Sequence, residues 1–224
     1  MLRSLAALLV LSAVVSAQIV APPIVSVTGV IEPISSGGGG DALCAPGTHV
    51  MKCTEGIFQL VGTQIDLEPF EGQNIRVVAG QVSKSCPLFD VLEVDTTPPA
   101  TLQVCGTEGL GCPLRLQSGG GGLSQHWLIL GAAPSFYPVS IDEGTFLLGE
   151  PFIVVGPVFA AGIEGAVFDF NIPSDASLIG VEAFVQNARR DVGPVGPIRF
   201  GNLVCIEILG FPIICHPAVC PAIQ

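Results

Sequence analysis

Three histidines, eight cysteines and a short list of carboxylates are the side chains in this sequence whose types and spacing bear on chemistry. His126 falls in Gly122-Leu123-Ser124-Gln125-His126, which sets a serine close to an imidazole. Acyl transfer by such a pair needs the serine on a sharp strand-to-helix turn and a carboxylate behind the histidine. The run lacks the second glycine of that turn and continues a glycine-rich stretch, so its polar residues read as those of a connector. Cys215-His216 places a thiol beside an imidazole, and His49 stands apart from both. Asp169, Asn171 and Asp175 surround a turn and offer oxygens to calcium, a cation that takes about six to eight hard ligands. No Asp-x-Asp-x-Asp-Gly loop accompanies them, and turn and capping roles compete for the same residues. Glu68 with Glu71, or Asp142 with Glu143, are the pairs that acid–base work on a glycosidic bond would use; as neighbours in loops they read first as solvated. The two tetraglycines, 37–40 and 119–122, lack the Lys-Ser/Thr that completes a phosphate-binding loop.

The cysteines decide between metal, redox and structural chemistry. Cys44 and Cys53 are nine apart, Cys105 and Cys112 seven, Cys215 and Cys220 five, with Cys86 and Cys205 between these groups and no Cys-x-x-Cys anywhere. A tetrahedral zinc site usually uses two such close pairs and a dithiol redox site uses one. Disulfides are what remains, and an apolar leader sends the chain where they form. Arg3 supplies the positive start, Leu5 to Val15 the apolar middle and Val15-Ser16-Ala17 the small-residue cleavage site, so residues 1–17 are expected to be a signal peptide and the protein to be secreted or held at the cell surface. Within the first half, Cys53 pairs most naturally with Cys86 across a small barrel. Cys44 then ties to Cys105, or Cys105 closes locally on Cys112. The five cysteines from Cys44 to Cys112 are odd in number, so either one of them reaches across to Cys205, Cys215 or Cys220, or one thiol stays free.

The elements that position these groups are strands. Charged residues make up 12% of the chain, while 28 Gly and 19 Pro interrupt it too often for long helices. Apolar runs rich in Val, Ile, Leu and Phe lie between these breaks, as in sandwiches and barrels. Strands are expected near 24–31, 48–53, 56–62, 74–82 and 89–95, then near 127–131, 138–141, 152–155, 165–171, 180–188 and 201–208. In Asn74 to Ala79 the alternation puts Ile75, Val77 and Ala79 on one buried face. Ser174 or Asp175 caps one helical turn at 176–179. Residues 18–112 are thus read as one β domain with a flexible Gly-rich insertion at 35–41. Residues 113–122 are read as a Gly-rich linker, 123–209 as a second β domain tethered to the first, and 210–224 as a Cys/Pro-rich tail that needs a staple.

Charge excludes one class of partner. A net charge of −11 repels polyanions, and the few aromatic and basic residues of the first half, Phe58, Phe70, Phe89, Lys52, Arg76 and Lys84, are outnumbered by acids. Nucleic acid is not an expected partner. The longest apolar stretch outside the leader, 151–163, is too short to cross a bilayer and contains Pro151 and Pro157, so no membrane span is expected after cleavage.

Two stretches carry a resemblance. Gly72-Gln73-Asn74-Ile75-Arg76-Val77 with Gly80, then Cys86-Pro87 and Val91-Leu92-Glu93-Val94, resembles small OB-fold-like barrels of bacterial secreted proteins, over about residues 24–97. Leu130-Gly131, Ile172-Pro173-Ser174-Asp175, Leu178-Ile179-Gly180 and Phe184-Val185-Gln186, with Asn202-Leu203 at the last strand, resembles a β-sandwich module found at the C-terminal ends of secreted proteins from aquatic bacteria. Ser174 stands where that module has Asn, Asn187 precedes the Ala, and Cys205 sits on the last strand. The resemblance implies an all-β chain, a disulfide-stapled OB-like barrel followed by a β-sandwich, and brings no catalytic residue with it. The expected function is that of a secreted, non-catalytic surface, matrix or partner-docking protein that takes an extracellular protein or a glycan and needs no cofactor, calcium at Asp169, Asn171 and Asp175 being the exception to test. The alternative is a secreted hydrolase or an accessory carbohydrate-binding protein, which requires convergent acids or an exposed aromatic strip.

Overall fold

A computed structural model describes residues 23–34, 47–82, 86–98, 100–140, 142–162, 164–193, 196–210 and 214–220. The leader at 1–17, the insertion at 35–41 and Cys44 lie outside them. The described chain is all-β. Its strands are β1 Ile24–Pro33, β2 His49–Met51, β3 Gln59–Val61, β4 Asn74–Gln81, β5 Leu88–Asp95, β6 Thr101–Gly106, β7 Pro113–Gly119, β8 Ser124–Gly131, β9 Pro134–Ser140, β10 Gly144–Leu148, β11 Phe152–Ala160, β12 Ala166–Asn171, β13 Glu182–Asp191 and β14 Arg199–Glu207. Two turns of 3-10 helix, Glu68–Phe70 and Ala176–Leu178, lie between strands, and the second is capped by Asp175, whose carboxylate accepts from the Ser177 N–H.

The first five strands close a barrel in the order β1, β2, β3, β5, β4, with β3 parallel to β5 and the other neighbours antiparallel. Alternation builds it: Ile75, Val77 and Ala79 of β4 are fully buried, with Val25 and Val27 of β1 beside them. Phe58 and Phe89 meet with ring centroids 4.4 Å apart, and Phe136 from β9 lies 5.3 and 5.2 Å from them, so the barrel core includes a ring from later in the chain.

A four-stranded sheet, β11-β8-β13-β14, and a three-stranded sheet, β12-β7-β6, share a second core of Leu102, Leu114, Leu116, Phe168, Leu128, Val185 and Ile206. Strands β8, β13 and β14 of the four-stranded sheet are covered on both faces. Their alternate residues Ile129, Phe184, Ala188 and Leu203 join the barrel core, together with Leu147 and Leu148 of the β9–β10 hairpin. The molecule is therefore layered as barrel and hairpin, four-stranded sheet, three-stranded sheet.

This layering revises the expected division. Residues 113–122 are not a linker: Pro113–Gly119 is β7, the middle strand of its sheet, with Leu114 and Leu116 buried, and Gly120 to Gly122 only turn the chain into β8. The barrel strands end at Asp95, and β6 with Cys105 and Cys112 belongs to the second unit. A core shared across the junction replaces the expected tether. The disulfides follow the layers. Cys53 of the barrel bonds Cys205 of β14 rather than Cys86, because β14 and not the far barrel wall lies against it. Cys105 bonds Cys220, replacing both expected partners, and Cys112 bonds Cys215. Cys86 is disulfide-bonded as well, and no described cysteine is free. The tail thus has the staples it needs, two of them.

Candidate functional site

The histidine assigned above to a connector is a fully buried residue of β8. Its Nδ1 lies 2.9 Å from Ser118 Oγ on β7 and its Nε2 lies 2.8 Å from Ser124 Oγ, and both serines are buried. Asn187 of β13 donates to Ser118 Oγ at 2.9 Å and to the Thr101 carbonyl at 3.0 Å. Arg189, two residues on, donates to the Gly121 carbonyl and to Asp191, which also holds Arg199. Burial and then the Arg189 charge push the His126 pKa down to about 4, with Asp191 opposing. The imidazole is neutral, both ring nitrogens are bonded, and no carboxylate orients it. Such a cluster joins the two sheets at the glycine turn; it presents no nucleophile to solvent.

His49, Glu71 and Glu143 are also engaged by neighbouring side chains. His49 Nε2 is 3.2 Å from Glu71 Oε1 and its Nδ1 is 2.9 Å from Thr48 Oγ1. Glu143 accepts from Ser140 Oγ at 3.0 Å. Exposed His216 donates its backbone N–H to Thr107 Oγ1 at 2.9 Å. The three calcium candidates have separate surroundings. Asp169 takes a two-point ion pair from Arg115 at 2.7 and 3.1 Å, which lowers its pKa, and Asp175 caps the 3-10 turn. Asn171 ends β12, exposed. Among the described residues no group of three or more His, Cys, Asp or Glu is placed to hold a metal. A polar cleft of about 450 Å3 between barrel and β14 is lined by Arg76, Asp95, Thr97, Asp142, Pro197 and Arg199. Asp95 spends one oxygen on the N–H and hydroxyl of Thr97, both at 2.8 Å, which lowers its pKa.

The surface with no internal employment is apolar. β11 is an edge strand, paired with β8 alone. Along it Phe152 is 40% exposed, Ile153 69%, Val154 53% and Phe159 62%. Val155, Val158 and Ala160 point into the core between the sheets, so this exposure is not that of an unfolded edge. Beside it a row of rings crosses the hairpin. Tyr137, half exposed, stacks on its cross-strand partner Phe146 at 6.3 Å, and Phe146 meets Phe152 edge-on at 5.2 Å and Phe200 at 5.5 Å. Val139 on β9 is also half exposed. Monomeric soluble proteins keep contiguous apolar patches small, and larger ones mark contact sites. Sequence reading missed this surface because an apolar run at 152–155 is also what a buried strand looks like; only the strand order shows that β11 lies at an edge. Comparison of the chain with known protein families, with curated proteins and with solved structures finds no match.

Proposed function

We propose that this chain is a non-catalytic docking protein that works outside the cytoplasm and engages a protein partner through the apolar surface of β9, β10 and β11. The observation that carries the reading is the exposure of Phe152, Ile153, Val154 and Phe159 on an edge strand beside the Tyr137–Phe146–Phe152 row. The burial of His126 between two serines supports the absence of catalysis. Disulfides linking Cys53, Cys105 and Cys112 to Cys205, Cys220 and Cys215 support an oxidising location, and no helix among the described residues is long and apolar enough to cross a membrane. The strand order of the barrel, with its parallel β3–β5 pair, supports the OB-like assignment, and the two sheets around one core support the sandwich assignment. Neither brings an activity with it.

A photo-cross-linking residue placed at Tyr137 or Val154 tests the reading in the native extracellular setting. Protein adducts are expected at both positions and not at Leu92, which is equally exposed on the barrel. Equal labelling at all three positions, or none at any, overturns the docking surface. Glycans are the rival occupant, since Tyr137 offers an exposed ring with a hydroxyl. Binding on a glycan array that Tyr137→Ala abolishes moves the protein to the carbohydrate-binding class.

A further inference from the structure

We infer that the polar cleft between the barrel and β14 binds a small zwitterion, a molecule that carries a carboxylate and an ammonium group as an amino acid or a short peptide does. None of the described residues that line it belongs to β9, β10 or β11, so the inference stands apart from the docking surface.

The cleft has two walls, and each carries one charge of either sign. The barrel wall is a cross-strand pair, Arg76 of β4 opposite Asp95 of β5. The facing wall is Arg199 at the start of β14 and Asp142 in the β9–β10 turn; the bond from the Phe200 N–H to the Glu143 carbonyl, 2.8 Å, joins the two segments. Both walls are fixed from behind. Buried Ser26 of β1 accepts from Arg76 Nε through its hydroxyl and from the Thr145 hydroxyl of β10 through its carbonyl, each at 2.7 Å. Arg199 Nη1 donates to Asp191 at 2.9 Å, which leaves the rest of its five N–H groups unspent. The N–H and hydroxyl of Thr97 hold Asp95 ionised, and Asp142 is bonded to no other side chain among the described residues. In a chain with 19 acidic and 8 basic residues, two of the eight face this one cavity.

The mixture of signs selects the ligand. A lone anion is drawn by two guanidiniums but repelled by both carboxylates and by the net charge of −11. A lone cation is drawn by the carboxylates and repelled by both guanidiniums. A molecule with both groups gains at both ends: its carboxylate takes the fork of Arg199 within the field of Arg76, and its ammonium takes the oxygens of Asp142. The volume of about 450 Å3 lies within the roughly 300–1,000 Å3 of small-molecule sites. Pro197 is the apolar residue among the described ones that line it, so a small hydrophilic molecule fits and a lipid does not. Ionic contacts in a cleft open to water are screened, and a dissociation constant on the order of 0.1–1 mM is expected.

Amide NMR titration of the disulfide-intact protein tests this with L-alanine and alanyl-alanine as zwitterions, acetate as the anion alone and methylammonium as the cation alone. Saturable shifts of the Thr97, Asp142 and Arg199 amides are expected with a zwitterion, and binding weaker by about tenfold or more with acetate and with methylammonium. Tighter binding of L-alanine assigns the site to free amino acids, and tighter binding of alanyl-alanine assigns it to peptides. Asp142→Asn removes an exposed charge that bonds no other side chain, so the fold is unchanged, and it is expected to weaken the zwitterion by about fivefold or more. Arg199→Gln is expected to do the same, while Arg190→Gln, exposed and outside the cleft, leaves binding as it is. Acetate that binds as tightly as the zwitterions makes the cleft an anion site and overturns the proposal. So does the absence of saturable shifts up to about 20 mM, or saturation that neither Asp142→Asn nor Arg199→Gln weakens.

Discussion

His126 carries the clearest energetic consequence of any single side chain in this molecule. A neutral imidazole with both nitrogens bonded to buried serines sits beside the Arg189 guanidinium, so a second proton is opposed by burial and by like charge. Its folded pKa of about 4 lies below the ordinary 6.5. Between those values the unfolded chain binds a proton that the folded chain refuses. The stabilisation is therefore complete above about pH 6.5 and is lost as the pH falls toward 4, by about 2 kcal/mol at pH 5. Urea titrations at pH 7.5 and 5 are expected to show this loss in the wild type and a flatter profile in His126→Gln, which at pH 7.5 is itself less stable by about 1–3 kcal/mol because one serine loses its partner. Gln186 offers a second test: its amide accepts from the Leu147 N–H and donates to the Thr145 and Gly201 carbonyls at 2.8 to 2.9 Å, all buried. Gln186→Leu leaves three backbone groups of the hairpin and β14 without partners, and a loss of about 3–5 kcal/mol is expected in the same titration. Neither network was legible in the sequence. The serines that bracket His126 lie on two strands joined by a glycine turn, and glycine content alone suggested that nothing there was packed.

Among the elements, the β7–β8 turn shows what glycine content conceals. Residues 113–116 alternate, with Leu114 and Leu116 buried and Arg115 between them less so, and 117–119 are buried throughout, but the adjoining glycines outweighed that pattern in the sequence. The barrel strands were legible as short β-rich runs between turn residues, and in β4 also by alternation, with Ile75, Val77 and Ala79 buried. The glycines are required for a reason other than flexibility. Gly120 has φ +142°, and a Cβ there would lie 2.5 Å from the Arg189 Nη1, whereas one on Gly121 would meet nothing within 4 Å. Thermal unfolding should separate them: Gly120→Ala is expected to cost about 1–3 kcal/mol, through the left-handed backbone and the displaced guanidinium, and Gly121→Ala less than about 1 kcal/mol. Equal effects at the two positions would mean that the turn is a loose connection after all.

For the whole molecule, the question is whether barrel and sheets unfold as one body. The odd cysteine count in the first half already required a bond across the chain or a free thiol. Three bonds cross it, with sequence separations of 152, 115 and 103. Of these three bonds Cys53–Cys205 joins barrel to sheet, and the other two fasten the tail to the β6–β7 region. The core that runs from Val27 and Phe58 through Phe136 and Leu147 to Phe184 and Leu203 joins the same two units without any covalent bond. Because that core is continuous, Cys53→Ala with Cys205→Ala is expected to lower stability by about 2–5 kcal/mol while the transition stays single. Cys105→Ala with Cys220→Ala acts mainly on the tail, and is expected to open 214–220 to protease with a smaller change in the melting temperature. Calorimetry of the two double variants decides the matter. Two separate transitions on losing Cys53–Cys205 would show that the disulfide, rather than the packing of β10, β13 and β14 against the barrel, is what makes one body of two units.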